Sequence, residues 1–181
     1  ISFSQWGDYD GDGDLDLFVA NNGVNNFLYQ NNGDGLFTKI TSGDIVNDGG
    51  SSNGASWADI DIDGDLDLFV ANSGDNNFLY KNNGDGTFTK ITSGDIVNDG
   101  GSSNGASWAD YDNDGDLDLF VANSGDNFLY ENNGDGSFSK ITTGNVVNDG
   151  GSSRSGSWGD YDNDGDQDLY VTNYALQTNF L

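Results

Sequence analysis

Four tryptophans frame this chain: Trp6, Trp57, Trp108 and Trp158 stand 51, 51 and 50 residues apart, and each opens the same phrase. Residues 56–72 read SWADIDIDGDLDLFVAN and residues 107–123 read SWADYDNDGDLDLFVAN. A fixed period of this length means an array or a propeller, so chain length says little about domain count. Each unit is too small to bury a core alone and has to pack on its neighbours. The units run approximately over 1–51, 52–102, 103–152 and 153–181 in a single repeat domain, the last of them incomplete.

The second unit shows the pattern. Ala55 to Ala58 is a short strand candidate that ends at the first loop aspartate. Leu66 to Ala71 is a nearly continuous apolar run, which reads as a strand buried on both faces. Asn72 to Asn76 is a turn by composition, and Phe78 to Lys81 forms a third strand. Asn82-Asn83-Gly84-Asp85-Gly86 contains Asn-Gly and Asp-Gly, both strong hairpin signals, and a fourth strand follows over Phe88 to Thr92. A glycine-rich connection from Asn98 to Ser103 leads to the next unit, and no segment has helical periodicity. The expected fold is all-β: a β-propeller-type array of four-stranded antiparallel blades, three complete plus one partial.

The chemistry lies in a loop of the form D-x-D-x-D-G-D-x-D between the first two strands. Its copies are Asp8, Asp10, Asp12, Asp14 and Asp16; Asp59, Asp61, Asp63, Asp65 and Asp67; Asp110, Asp112, Asp114, Asp116 and Asp118; and Asp160, Asp162, Asp164, Asp166 and Asp168. Carboxylates at positions 1, 3 and 5 of a tight loop converge on one point, as the oxygen ligands of a hard cation such as Ca²⁺ must. Glycine at position 6 (Gly13, Gly64, Gly115, Gly165) permits a sharp positive-φ turn. Position 7 offers its backbone carbonyl, and position 9 returns a carboxylate from the start of the second strand. Without a cation, carboxylates this close repel by on the order of several kcal/mol at low effective dielectric. About four Ca²⁺ ions, one per loop, are expected.

Composition agrees. The chain has 31 acidic and 5 basic residues, a net charge of −26, and a single glutamate, Glu131. Twenty of the aspartates sit in the four loops. No basic stripe exists to neutralise phosphates, so nucleic acid is not expected as a partner. The absence of Cys and His removes disulfides, the usual zinc and copper ligands, and Ser/His or Cys/His catalysis. Carboxylate pairs that could serve glycoside hydrolysis are better explained as metal ligands. The chain is therefore expected not to be an enzyme. No apolar run approaches the ~18 residues that span a bilayer, so membrane insertion is not expected.

An EF-hand shares positions 1 to 7 but needs a bidentate Glu at position 12 and flanking helices. Position 12 here is Val19, Val70, Val121 or Val171, each within the apolar run. The phrase W-A-D-Y-D-N-D-G-D-L-D-L-F-V-A-N, followed by N-F-L-Y-x-N-N-G-D-G-x-F, resembles the FG-GAP/VCBS repeat family of integrin α-subunit propellers and many bacterial surface proteins. That resemblance covers essentially the whole chain. It implies a calcium loop joining the first two strands of each blade. It also implies closure as about seven blades, for which this chain has too few residues.

Two functions follow as expectations. The first is a calcium-binding structural or assembly module in an extracellular or cell-surface setting, self-associating or continuing into a longer chain. The alternative is a glycan- or protein-recognition propeller. The four Trp are expected to be packing residues rather than a sugar platform, and Asp34, Asp85 and Asp135 turn residues rather than ligands. The chain stops at Asn179-Phe180-Leu181, which matches Asn127-Phe128-Leu129, so the last blade is expected to be completed by further chain or by a neighbour. Gln167 in place of Leu, and Tyr174-Ala175-Leu176 in place of the Ser-Gly-Asp turn, suit a cap or contact surface. Arg154, the lone arginine, either is solvated or meets an anionic partner.

Overall fold

The computed structural model describes residues 3–148, 150–174 and 178–181. Its first sheet holds β1 (Phe3–Gly7), β2 (Asp16–Ala20), β3 (Phe27–Asn31) and β4 (Phe37–Ile40) in sequence order. The second repeats this with β5 (Ser52–Ala58), β6 (Asp67–Asn72), β7 (Phe78–Asn82) and β8 (Phe88–Ile91). The third uses β9 (Ser103–Ala109), β10 (Asp118–Asn123), β11 (Phe128–Asn132) and β12 (Phe138–Ile141). In the fourth, β13 (Ser153–Gly159) pairs with β14 (Asp168–Asn173), and a bridge from Val171 to Phe180 begins the next pairing. Every pairing is antiparallel, giving the propeller-type array of three complete blades and one partial blade. Tyr174 is described, but Ala175 and Leu176 of the divergent turn lie outside the described residues.

The blades stack through their second strands. All six residues of β6 are buried, and successive side chains serve opposite neighbours, as a pleated strand requires. Leu68 and Val70 pack with Phe18 and Leu28 of the first blade, while Phe69 and Ala71 pack with Leu119 and Val121 of the third. The apolar cores thus lie between blades, not within them. Among the described residues β2 packs on a neighbouring blade from one side only, and its burial alternates accordingly.

Each interior tryptophan closes one junction. Trp57 stacks on Tyr9 of the preceding blade at 6.4 Å and meets Phe18 edge-on at 6.3 Å. Trp158 repeats this with Tyr111 and Phe120 at 6.3 and 6.5 Å, and Trp108 meets Phe69 edge-on at 6.4 Å. These three are packing residues, as their recurrence suggested. Trp6, in the first blade, is 53% exposed.

First strands of consecutive blades also run side by side. A Cβ on Gly54 would stand 3.0 Å from the Asn104 carbonyl oxygen, and one on Gly105 only 2.8 Å from that of Arg154. Glycine is required there by backbone approach. Arg154 itself donates to Asn104 Oδ1 at 3.2 Å and lies over the Tyr174 ring.

The connections carry single helical turns, Asp44–Val46, Asp95–Asn98 and Asn145–Val147, whose Ile45, Val46, Ile96, Val97 and Val147 are buried. Two apolar residues per turn are too few to show a helical period. The segment after each of the first two turns is pinned by the following blade. Asp48 accepts from the Tyr80 hydroxyl at 2.6 Å and pairs with Lys90 at 2.8 Å, and Asp99 does the same with Tyr130 and Lys140. Among the described residues no helix is long and apolar enough to cross a membrane.

Since Phe69 is fully buried at a junction, Phe69→Ala should lower unfolding free energy by about 3–5 kcal/mol in chemical denaturation. Phe37→Ala, at a site 46% exposed, should cost less than about 1 kcal/mol.

Candidate metal centre

Each Asp loop joins the first and second strands of its blade, where the sequence places it. The turn glycine is left-handed in every copy, with φ of 94° to 100° at Gly13, Gly64, Gly115 and Gly165. Position 4 is left-handed too. Gly11 suits that conformation, and Asn113 and Asn163 tolerate it, but Ile62 is held at φ 58°, which a β-branched residue resists.

Carboxylates at positions 1, 3 and 9 converge. In each of the sets Asp8/Asp10/Asp16, Asp59/Asp61/Asp67, Asp110/Asp112/Asp118 and Asp160/Asp162/Asp168, one oxygen per residue lies within 4.8 Å of the others. Position 1 also organises the turn: Asp8 accepts from the backbone N–H groups of Asp12 and Gly13 at 3.1 and 3.0 Å. Position 5 (Asp12, Asp63, Asp114, Asp164) lies outside the convergent set, and its Oδ1 accepts from the position-7 N–H in every loop. The position-7 side chains of Asp14, Asp65 and Asp116 instead abut the hairpin, where a Cβ on Gly33, Gly84 or Gly134 would come within 2.6 Å of them. Asp166 accepts from Asn113 of the third blade's loop at 2.9 Å.

Position 9 anchors the cluster. Asp67 is 1% exposed; its Oδ2 accepts from the Ile60 N–H at 3.0 Å and its Oδ1 from the Asn82 N–H at 2.7 Å. Asp16 and Asp118 repeat this with Tyr9/Asn31 and Tyr111/Asn132, whereas Asp168, without a third-strand donor described, is half-buried. Burial pushes the Asp67 and Asp118 carboxyls up to about 6; their N–H donors pull the other way, and nearby loop carboxylates add to the rise. Asp61 Oδ1 is buried without a hydrogen-bond partner. An all-oxygen set with an orphaned carboxylate oxygen and crowded negative charge fits a hard divalent cation. Asp34, Asp85 and Asp135 accept the N–H two residues on, so they act in the hairpin turn.

The first hairpin asparagine is a site residue that sequence reasoning missed. Asn82 donates its N–H to Asp67 and its amide to the Tyr9 carbonyl of the preceding blade's loop at 2.7 Å; Asn132 does the same toward Ile60 at 2.8 Å. Its recurrence as Asn31, Asn82 and Asn132 is the available signal, and the same residue also suits the hairpin turn.

Losing the buried amide in Asn82→Ala should cost about 1–3 kcal/mol, against less than about 0.5 for Asn83→Ala in the exposed turn. Relief of left-handed strain in Ile62→Asn should stabilise by about 1 kcal/mol. Both are read from denaturation midpoints.

The solved structures similar to this chain include a lectin from Agrocybe aegerita, described as recognising non-reducing terminal N-acetylglucosamine. It is 21% identical, with a TM-score of 0.63 over 94% of this chain and 46% of its own. At that identity the likeness concerns the fold alone, and this chain spans less than half of the lectin's length. A Tc holotoxin pore from Photorhabdus luminescens is 19% identical, with a TM-score of 0.43 over 94% of this chain and 8% of its own. No curated protein matches the chain. The model of the FG-GAP-like repeat matches residues 8–70, 59–121 and 110–171, each match running from one Asp loop through the second strand of the next blade. With most of its length so matched, the chain belongs to the FG-GAP-like repeat family.

Proposed function

We propose that this chain is a calcium-braced structural repeat module of an extracellular or cell-surface protein, without catalytic activity. The convergence of three carboxylates in every loop carries the reading. In the first three blades the ninth-position members join the loop, the second strand and the third strand, so a cation there would stiffen the blade at its most connected point. Positions 1, 3 and 9 would hold the ion, with position 5 and the position-7 carbonyl completing an oxygen shell. The cation's role is to neutralise charge and fix the loop. Millimolar extracellular calcium would fill weak sites of this type.

Assembly is supported by the two end faces. Phe3, Trp6 and Phe37 are exposed at one end, and Tyr161 and Tyr170 at the other. These are the two halves of the aromatic junction that recurs between blades, where Trp57 meets Tyr9 and Phe18. A further blade, from the same polypeptide or from a second copy, would bury them.

The runner-up reading is glycan recognition. Clefts of about 180, 260 and 230 Å³ recur in the first three blades, lined among others by Phe27 and Lys39, Phe78 and Lys90, and Phe128 and Lys140. In each, the lysine ammonium sits 3.7 to 4.3 Å from the ring centroid and covers the face on which a sugar would stack. That favours the structural reading.

Thermal unfolding with calcium and with chelator tests it. Calcium at a hundredfold excess over Kd should stabilise by about 2.7 kcal/mol per site. An unchanged melting temperature would sink structural calcium, and saturable calcium-dependent binding on a glycan array would favour the recognition reading.

A further inference from the structure

One side chain that overlooks the loops does not repeat. The third strand of each complete blade carries Gln30, Lys81 or Glu131 in the same register, opposite Thr38, Thr89 and Ser139. In the first blade, Gln30 Nε2 donates to Asp10 Oδ2 at 2.5 Å. In the second, the Lys81 ammonium binds Asp61 Oδ2 and lies 3.5 Å from Asp63 Oδ2. This register position therefore faces the position-3 carboxylate, and for Lys81 position 5 as well. Glu131, half-buried, holds the matching register in the third blade, close enough to Tyr111 of that blade's loop for its charge to add to burial in pushing the Tyr111 phenol up. The five aspartates are the same in every loop, so the variable neighbour alters the local charge: neutral, positive, then negative.

Resting on the calcium reading above, we infer that this register position sets the calcium affinity of each blade, with Glu131 making the third loop tightest, Gln30 the first intermediate, and Lys81 the second weakest. The Lys81 ammonium is a tethered cation on two of the oxygens an arriving ion needs. It repels a divalent ion and has to be drawn off Asp61 before that carboxylate can ligate. It does not replace the ion, since Asp61 Oδ1 stays buried and unpartnered. Glu131 does the opposite, adding a negative charge beside the loop. A unit charge within a few ångströms of a divalent ion, at an effective dielectric between protein and water, changes binding by roughly tenfold or more. The second blade is thereby partly neutralised without calcium, while the third depends on it most.

Calorimetric titration of the whole chain with CaCl₂ reads the grading. The wild type should show unequal sites. Lys81→Gln should tighten the weakest class by about tenfold and Lys81→Glu by more, while Glu131→Gln should weaken the tightest class by about tenfold. A second readout reverses sign: in chelator Lys81→Gln should lower the melting temperature, because the loop loses its only cation, and in saturating calcium it should not. Equal affinities in wild type and all three variants would overturn the grading while leaving calcium binding intact. No calcium heat in the wild type at millimolar concentration would overturn both.

Discussion

The ninth-position aspartate is the constraint on which the rest depends. Asp67 is buried, yet the loop N–H of Ile60 and the third-strand N–H of Asn82 both donate to it, so one carboxylate ties three segments of the blade together. A lone buried charge is expensive, and its carboxyl is pushed up to about 6 by burial first and by its acidic neighbours in smaller part. The arrangement persists because the N–H donors aim at the charged form and because the other loop carboxylates gather around it, where a divalent cation would offset them together. The hairpin asparagine extends the same logic across the junction, since Asn82 holds the Tyr9 carbonyl of the preceding loop. The first two loops are thus shaped partly by the blade that follows each of them.

Packing between blades sets the other half of the stability. The alternation along β6 sends Leu68 and Val70 one way and Phe69 and Ala71 the other, so neither face of an interior blade is solvent-facing. The Tyr80–Asp48–Lys90 and Tyr130–Asp99–Lys140 clusters staple the first and second connections to the next blade. An interior blade is therefore defined by its neighbours as much as by its own strands, and the end blades show it: Trp6 is exposed where Trp57 is packed, and Asp168 is half-buried where Asp67 is sealed.

Much of this was legible in the residues. The tryptophan period, the doubly apolar second strand and the Asn-Gly and Asp-Gly turns gave strands, order and hairpins, because each is a local signal with a fixed spacing. The helical turns were not legible, since Ile96 and Val97 alone carry no period. The reach of Asn82 into the preceding loop joins residues 73 positions apart in sequence, and no spacing rule predicts such a bond.

By itself the sequence determined the repeat, the all-β blade, the acidic loop between the first two strands and the chemistry of its donors, because these follow from periodicity, turn residues and carboxylate spacing. Tertiary structure decided which oxygens converge: positions 1, 3 and 9, with the position-7 side chains of the first three loops turned to the hairpin or, in the fourth, to the neighbouring loop. It also brought different side chains to loops that share the same five aspartates, since Gln30 and Lys81 reach Asp10 and Asp61 only once the third strand folds back alongside the second. The physical reason is that a charge acts through distance in space, and that distance is set by strand pairing rather than by sequence separation.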